Sequence, residues 1–222
     1  MKAQADIISA VIIIIIAITL VSAAYIWGIP LIMKRQDTAL AERIDKSFDR
    51  NNLNSLVRKI ESVYKNGGED TFTLDADGLW IFYPCPDTDE GECTCEQSIS
   101  GCATENNSIQ FTFFGRVAKI ADDEGWVTLS SPNTDLIGTV GVDDPSVVLA
   151  RADRIGEGFN ITYKTWFREL DESPEKGYKI DLVAPTGRTS TARSLRITSG
   201  GTRTISQNGK ILIITEIKIF LV

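Results

Sequence analysis

The feature that most constrains this chain is an uncharged run from Ile7 to Met33, 27 residues dominated by Ile, Val, Leu and Ala. As a helix it is about 40 Å long, against a bilayer hydrocarbon core of about 30 Å. A helix satisfies its own backbone N–H and C=O groups in hydrocarbon, whereas an all-round apolar helix cannot remain exposed in water. The segment must therefore lie in a membrane or be buried against other apolar helices. Its core is too long for a secretory signal peptide, and Ala23-Ala24 is a poor small-residue cleavage site. The same residues would also serve a permanent single-span anchor.

Beyond Lys34 and Arg35 the pattern becomes amphipathic. Leu40, Ile44, Phe48, Leu53, Leu56, Val57, Ile60, Val63 and Tyr64 recur at threes and fours, with charged residues between them. The spacing predicts helix from about Asp6 to Lys65, hydrophobic over 7–33 and amphipathic over 34–66, ended by Asn66-Gly67-Gly68. Pro30 should kink or locally melt it, and Asn51-Asn52 is a second weak point. The charge divides with the pattern. Residues 1–66 hold nine Lys and Arg against six Asp and Glu, whereas 67–222 hold fourteen against twenty-four. An acidic chain of net charge -7 without a basic cluster argues against a nucleic-acid partner. With no His anywhere, Ser-His-Asp, Cys-His and the usual zinc chemistries are excluded. No catalytic residue, cofactor or metal is expected.

The order Lys2-Ala3-Gln4-Ala5-Asp6-Ile7-Ile8-Ser9-Ala10, followed at once by the apolar helix, resembles the precursors of the archaeal type IV pilin and archaellin superfamily. Those carry a short basic leader cut just before the hydrophobic helix. The resemblance covers about the first 65 residues. It implies a leader of residues 1–3, cut between Ala3 and Gln4, and a mature helix over 4–66. Many type IV pilins have Glu as the fifth mature residue, whereas Asp6 would be third here. The resemblance further implies an extracellular filament in which Ile12, Ile14, Ile16 and Leu20 pack against neighbouring copies, with Asp6 and Pro30 shaping assembly. Its partners would be other copies of the chain, a leader peptidase and assembly machinery, with the precursor held in the membrane. A singly anchored extracellular binding domain, or an archaellum filament or accessory subunit, is the alternative.

Past Gly68 the period falls from 3.6 to 2. Strands are predicted at Thr71–Leu74, Leu79–Tyr83, Ile109–Phe114, Arg116–Ile120, Trp126–Ser130, Ile137–Val142, Ser146–Ala150, Phe159–Phe167, Tyr178–Ala184, Leu195–Thr198, Thr202–Ser206 and Ile211–Val222. Asp75-Ala76-Asp77-Gly78, Asp122-Asp123-Glu124-Gly125 and Asn208-Gly209 read as hairpin turns, and Glu172–Gly177 as a further connection. The last strand is too apolar for a free edge and belongs centrally or against the helix. The fold class is α+β: a long N-terminal hydrophobic α-helix, then an all-β, sandwich-like domain over 67–222. Trp80, Trp126, Trp166, Phe111, Phe113 and Phe114 could line a ligand face, but alternating aromatic residues usually form core. Asp143 and Asp144 sit in a turn sequence.

Cys85, Cys93, Cys95 and Cys102 fall within eighteen residues. They lack the paired C-x2-C knuckles of structural zinc sites, and outside the cell such residues oxidise. Two disulfides are expected over a zinc site or free thiols, with the Cys93–Cys95 connectivity least favoured on strain. Asn106-Asn107-Ser108 and Asn160-Ile161-Thr162 are N-glycosylation acceptors, Asn106 in a polar loop and Asn160 in a strand. Asp87-Thr88-Asp89-Glu90-Gly91 lacks the distal Glu of a calcium loop. Alkylation and mass spectrometry under non-reducing conditions should find no reactive thiol at the four cysteines; four alkylated thiols would remove the disulfide reading.

Overall fold

The computed structural model describes residues 2–83, 107–118, 120, 125–130, 133–207 and 209–221. The chain divides into two compact units, Met1–Leu40 and Ala41–Val222.

The first helix, α1, runs Lys2–Phe48 and is unbroken through Pro30, so the expected local melting does not occur. The helix expected to reach Lys65 is two, and the break falls at the expected weak point, Asn51-Asn52. Asn and Asp side chains offer the backbone local partners that compete with helix, and the connector 49–55 is built from them. Asp49 Oδ1 accepts from Asn51 N at 2.9 Å, Asn52 Oδ1 from Asn54 N at 3.1 Å, and Asn52 Nδ2 donates to the Lys46 carbonyl near the end of α1. Ser55 then caps the second helix, α2 (Leu56–Asn66), its side chain accepting from Arg58 N. Gly67, at φ 69°, closes α2 by donating to the Val63 carbonyl.

Among the described residues two six-stranded sheets follow. The first contains, in spatial order, β1 (Glu69–Thr73), β11 (Ser194–Gln207), β12 (Lys210–Leu221), β9 (Lys176–Val183), β8 (Glu169–Ser173) and β5 (Ile137–Thr139). The second contains β10 (Thr189–Ser190), β2 (Leu79–Tyr83), β3 (Ser108–Gly115), β7 (Gly158–Phe167), β6 (Ser146–Ile155) and β4 (Val127–Thr128). The fold class is α+β, as its sequence implies. β12 lies inside its sheet between β11 and β9, which hides its apolar edge. Gln207 pairs with Lys210 across a two-residue loop, and Gly209 has the positive φ of 83° that a type I′ turn requires.

Other expectations need correction. Asp75–Gly78 is no hairpin turn: β1 pairs in the first sheet and β2 in the second, so the segment is a corner between sheets. Gly78 is needed there for close approach, since a Cβ would sit 2.3 Å from the Phe111 ring. Arg116–Ala118 and Ile120 form no strand. The two strands expected over 195–206 are one, bent by a bulge between Ser199 and Gly201. β8 and β10 are additional strands, and β12–β9 and β5–β8 run parallel. Residues 122–124, part of another expected turn, lie outside the described residues.

The helical segment from Ala41 onward is packed between the sheets. α2 lies on β1, β11 and β12, burying Leu56, Val57, Ile60 and Val63. Phe48 faces the second sheet: its ring stacks on Tyr163 at 4.8 Å and lies about 6 Å from Trp80 and Phe111. Phe72 and Trp80 meet edge-to-face where the two sheets close. Of the remaining aromatic residues singled out in the sequence, Trp166 and Phe113 are also core, whereas Phe114 and Trp126 are exposed.

The far end is closed by Asn107, at φ 56° and buried. Its amide donates to the carbonyls of Phe167 in β7 and Ile180 in β9, and its Oδ1 accepts from Leu182 N at 2.7 Å. One side chain thereby replaces a missing peptide group beside β9 and ties the two sheets together. Asn107→Gly keeps the backbone angle but orphans three buried backbone groups, at about 1–3 kcal/mol each where water cannot reach. Urea unfolding should show a midpoint well below wild type with an unchanged slope.

Candidate functional site

The candidate site is the apolar surface of α1. Every residue from Val11 to Trp27 is exposed, on all sides of the helix. Ile12, Ile14, Ile16 and Leu20, expected to pack against neighbours, are 49%, 57%, 51% and 66% exposed. By length and composition this helix can cross a membrane. Pro30 is exposed, and at Gly28 a Cβ would meet nothing within 4 Å. Ala3, Gln4 and Asp6 lie in the first turns of α1. Covering such a surface with other apolar groups, at about 25 cal/mol per Å², is worth on the order of tens of kcal/mol.

Within the β-rich unit, a separate clamp fixes the helical connector. Glu61 is 2% exposed. Its carboxylate accepts from Arg50 Nε and Nη2 at 3.1 and 3.2 Å and from Ser146 Oγ at 2.9 Å, with Arg58 at 3.5 Å. Arg50 also pairs with Asp144 at the start of β6. Connector, α2 and second sheet are thus joined through one buried carboxylate. Sequence reasoning missed Glu61 because a charge on an amphipathic helix reads as solvent-facing, and its partner Ser146 is 85 residues away.

Arg168, where the chain crosses from β7 to β8, has a side chain with no solvent exposure. It donates to the carbonyls of Asp144, Asn133 and Asp135 and faces Asp143 at 3.7 Å. Burial pushes its pKa down, and Asp143 and Asp135 oppose that shift. Asp143 is the hub of the turn after β5: it accepts from Thr139 N at 2.8 Å and Asn133 Nδ2 at 3.0 Å. The Thr139 amide is the main reason its pKa lies below the ordinary carboxylate range; burial opposes this, and Asn133 and Arg168 add to it.

The remaining sequence-derived residues are not gathered here. Cys85, Cys93, Cys95, Cys102 and Asn106 lie outside the described residues, as does the 87–91 loop. Asn160 is in β7, opposite Phe114 and Asp153, while Thr162 of its sequon is 7% exposed and shares a hydrogen bond with Thr112. Ser108, third in the other sequon, is completely buried. Among the described residues no His, Cys, Asp and Glu cluster could hold a metal ion. No family model, curated protein or solved structure matches the chain.

A group whose folded pKa is depressed stabilises the fold above its unfolded pKa, near 4 for Asp, and loses that contribution as pH falls through the lower folded value. Asp143→Asn should therefore lower the thermal midpoint most above about pH 5, with the gap to wild type closing as pH falls toward 2. A gap independent of pH would show that the Asp143 charge does not hold the turn.

Proposed function

We propose that this chain is the structural subunit of an archaeal type IV pilus-like surface filament, with the N-terminal helix in the filament core and the β-rich unit outside. The observation that carries this reading is the apolar surface exposed around the whole helix from Val11 to Trp27. Inserted in a bilayer, this surface is satisfied while the charged leader keeps the tip at the cytoplasmic side. Removing residues 1–3 takes away Lys2 and leaves Gln4 as an amino terminus two residues from Asp6. Once extracted, the helix must bury its surface, and identical helices provide the matching one. Asp6 then has a counter-charge available in the amino terminus of a neighbour, which a lone helix in lipid lacks. The chain's role is structural, without catalysis, in attachment at the cell surface.

A permanent anchor uses the same residues, and substitution distinguishes the two. Ile14→Lys places in every subunit a charge with no route to water, costing several kcal/mol each unless paired. It should abolish filaments. A single inserted helix tolerates a central Lys at about 2.5–3.5 kcal/mol, eased by snorkelling. Asp6→Ala should weaken assembly while leaving insertion intact. The measurement is electron microscopy and intact-mass spectrometry of material sheared from cells, where the wild-type subunit should begin at Gln4. A wild-type chain found only with membranes and keeping Met1, with both variants reaching the surface, would overturn the filament reading in favour of the anchored one.

A further inference from the structure

The β-rich unit carries a cleft of about 430 Å³ between the end of α2, the turn after β5 and the strands β8 and β9. Its walls are Tyr64, Tyr178, Glu172, Leu170 and the valines of the turn, Val140 and Val142. We propose that this cleft binds an uncharged, hydroxyl-rich ligand of the size of one or two pyranose rings. The inference is independent of whether α1 ends in a filament or a bilayer.

The rim comes first. Val142 is 80% exposed and Val140 41%, yet the turn that carries them is tightly held. Val140 N donates to the Asp171 carbonyl, and Val142 N and Asp143 N both donate to the Thr139 carbonyl. Gly141 supplies the positive φ, and Asp143 is locked from beneath by Asn133 and the buried Arg168. Burying a guanidinium is costly, and this one holds a turn whose tip is two water-exposed valines. A rigid apolar lip beside a cavity suits a partner that covers it without further ordering.

The charges in the cleft then decide the class of ligand. Arg50 is neutralised by Glu61 and Asp144, and Asp143 is bound by Thr139, Asn133 and Arg168. Glu172 is paired with Lys176 at 2.7 Å. A charged ligand would lose its hydration and meet only compensated charges; Lys65, at the rim, is exposed and solvated. Hydrogen-bonding capacity remains. Lys176 Nζ and the Tyr178 hydroxyl both meet Glu172 at Oε2, leaving Oε1 able to accept from a ligand hydroxyl. The Tyr64 hydroxyl makes no hydrogen bond among the described residues, and burial and Tyr178 hold it protonated. Acceptor, hydroxyl and apolar wall together match a sugar, which presents hydroxyls at its edge and C–H groups on its face.

The sugar could sit on a foreign surface or on a second copy of this chain, as a glycan at Asn106 or Asn160. The test uses the full chain in a polyoxyethylene detergent, which carries no sugar headgroup. Methyl glycosides of glucose, galactose and mannose, N-acetylglucosamine and, as a charged control, glucuronic acid are titrated by saturation-transfer NMR and calorimetry. At least one neutral sugar should bind in preference to glucuronic acid. Tyr64→Phe and Val142→Asp, which alter a half-buried hydroxyl and an exposed side chain, should each weaken it about fivefold or more with the thermal midpoint unchanged. If Asn106→Gln with Asn160→Gln strengthens binding, the second copy's glycan is the occupant; unchanged binding assigns a foreign glycan. Failure of every neutral sugar, preference for glucuronic acid, or binding indifferent to both Tyr64→Phe and Val142→Asp would overturn the proposal.

Discussion

The β-rich unit is organised around the carboxylate of Glu61. A charge with 2% exposure survives only if its partners replace the water it lost, and here they come from three parts of the chain: Arg50 in the connector, Arg58 in α2 itself and Ser146 in the second sheet. Arg50 extends the network to Asp144, and the Asp144 carbonyl accepts from Arg168. These groups fix the point at which the connector enters the sandwich. The apolar contacts beside them, Phe48 on Tyr163 and α2 on the first sheet, supply area but are far less particular about register.

Helix and sandwich meet the same demand in different ways. The described residues from Ala41 onward bury apolar side chains on one another, through two sheets closed over a helical segment. The run from Val11 to Trp27 is apolar and exposed, a surface compatible with lipid. In the proposed filament one surface serves both stages in turn, and passing from lipid to neighbours requires no refolding of a helix that already satisfies its own backbone.

How far the sequence discloses this depends on the range of the interaction. Local signals are legible: the uncharged run 7–33, the stop at Asn66-Gly67-Gly68, the Asn208-Gly209 turn and the alternation of Leu79–Tyr83 all correspond to features of the fold. The corner at Asp75–Gly78 is misread because turn-forming residues specify a reversal or bend, not which sheet the next strand joins. β8, Glu-Leu-Asp-Glu-Ser, carries charge where a strand signal expects β-branched residues, and its place depends on β9 and the parallel β5. Least legible are the buried polar residues. Glu61, Asn107 and Arg168 owe their roles to partners brought near by topology, so in sequence they resemble any surface residue.

The burial of Ser108 and Thr162 bears on when a glycan could be added at either sequon. An enzyme that glycosylates Asn-x-Ser/Thr must reach the hydroxyl residue as well as the asparagine, and in the finished fold Ser108 has no exposure while Thr162 is paired with Thr112 across the β3–β7 ladder. Sugar transfer to Asn106 or Asn160 would therefore compete with strand closure for the same residues. Conditions that speed folding would lower site occupancy, and those that slow it would raise it. A glycan at either sequon would thus be a record of how quickly the sandwich closed.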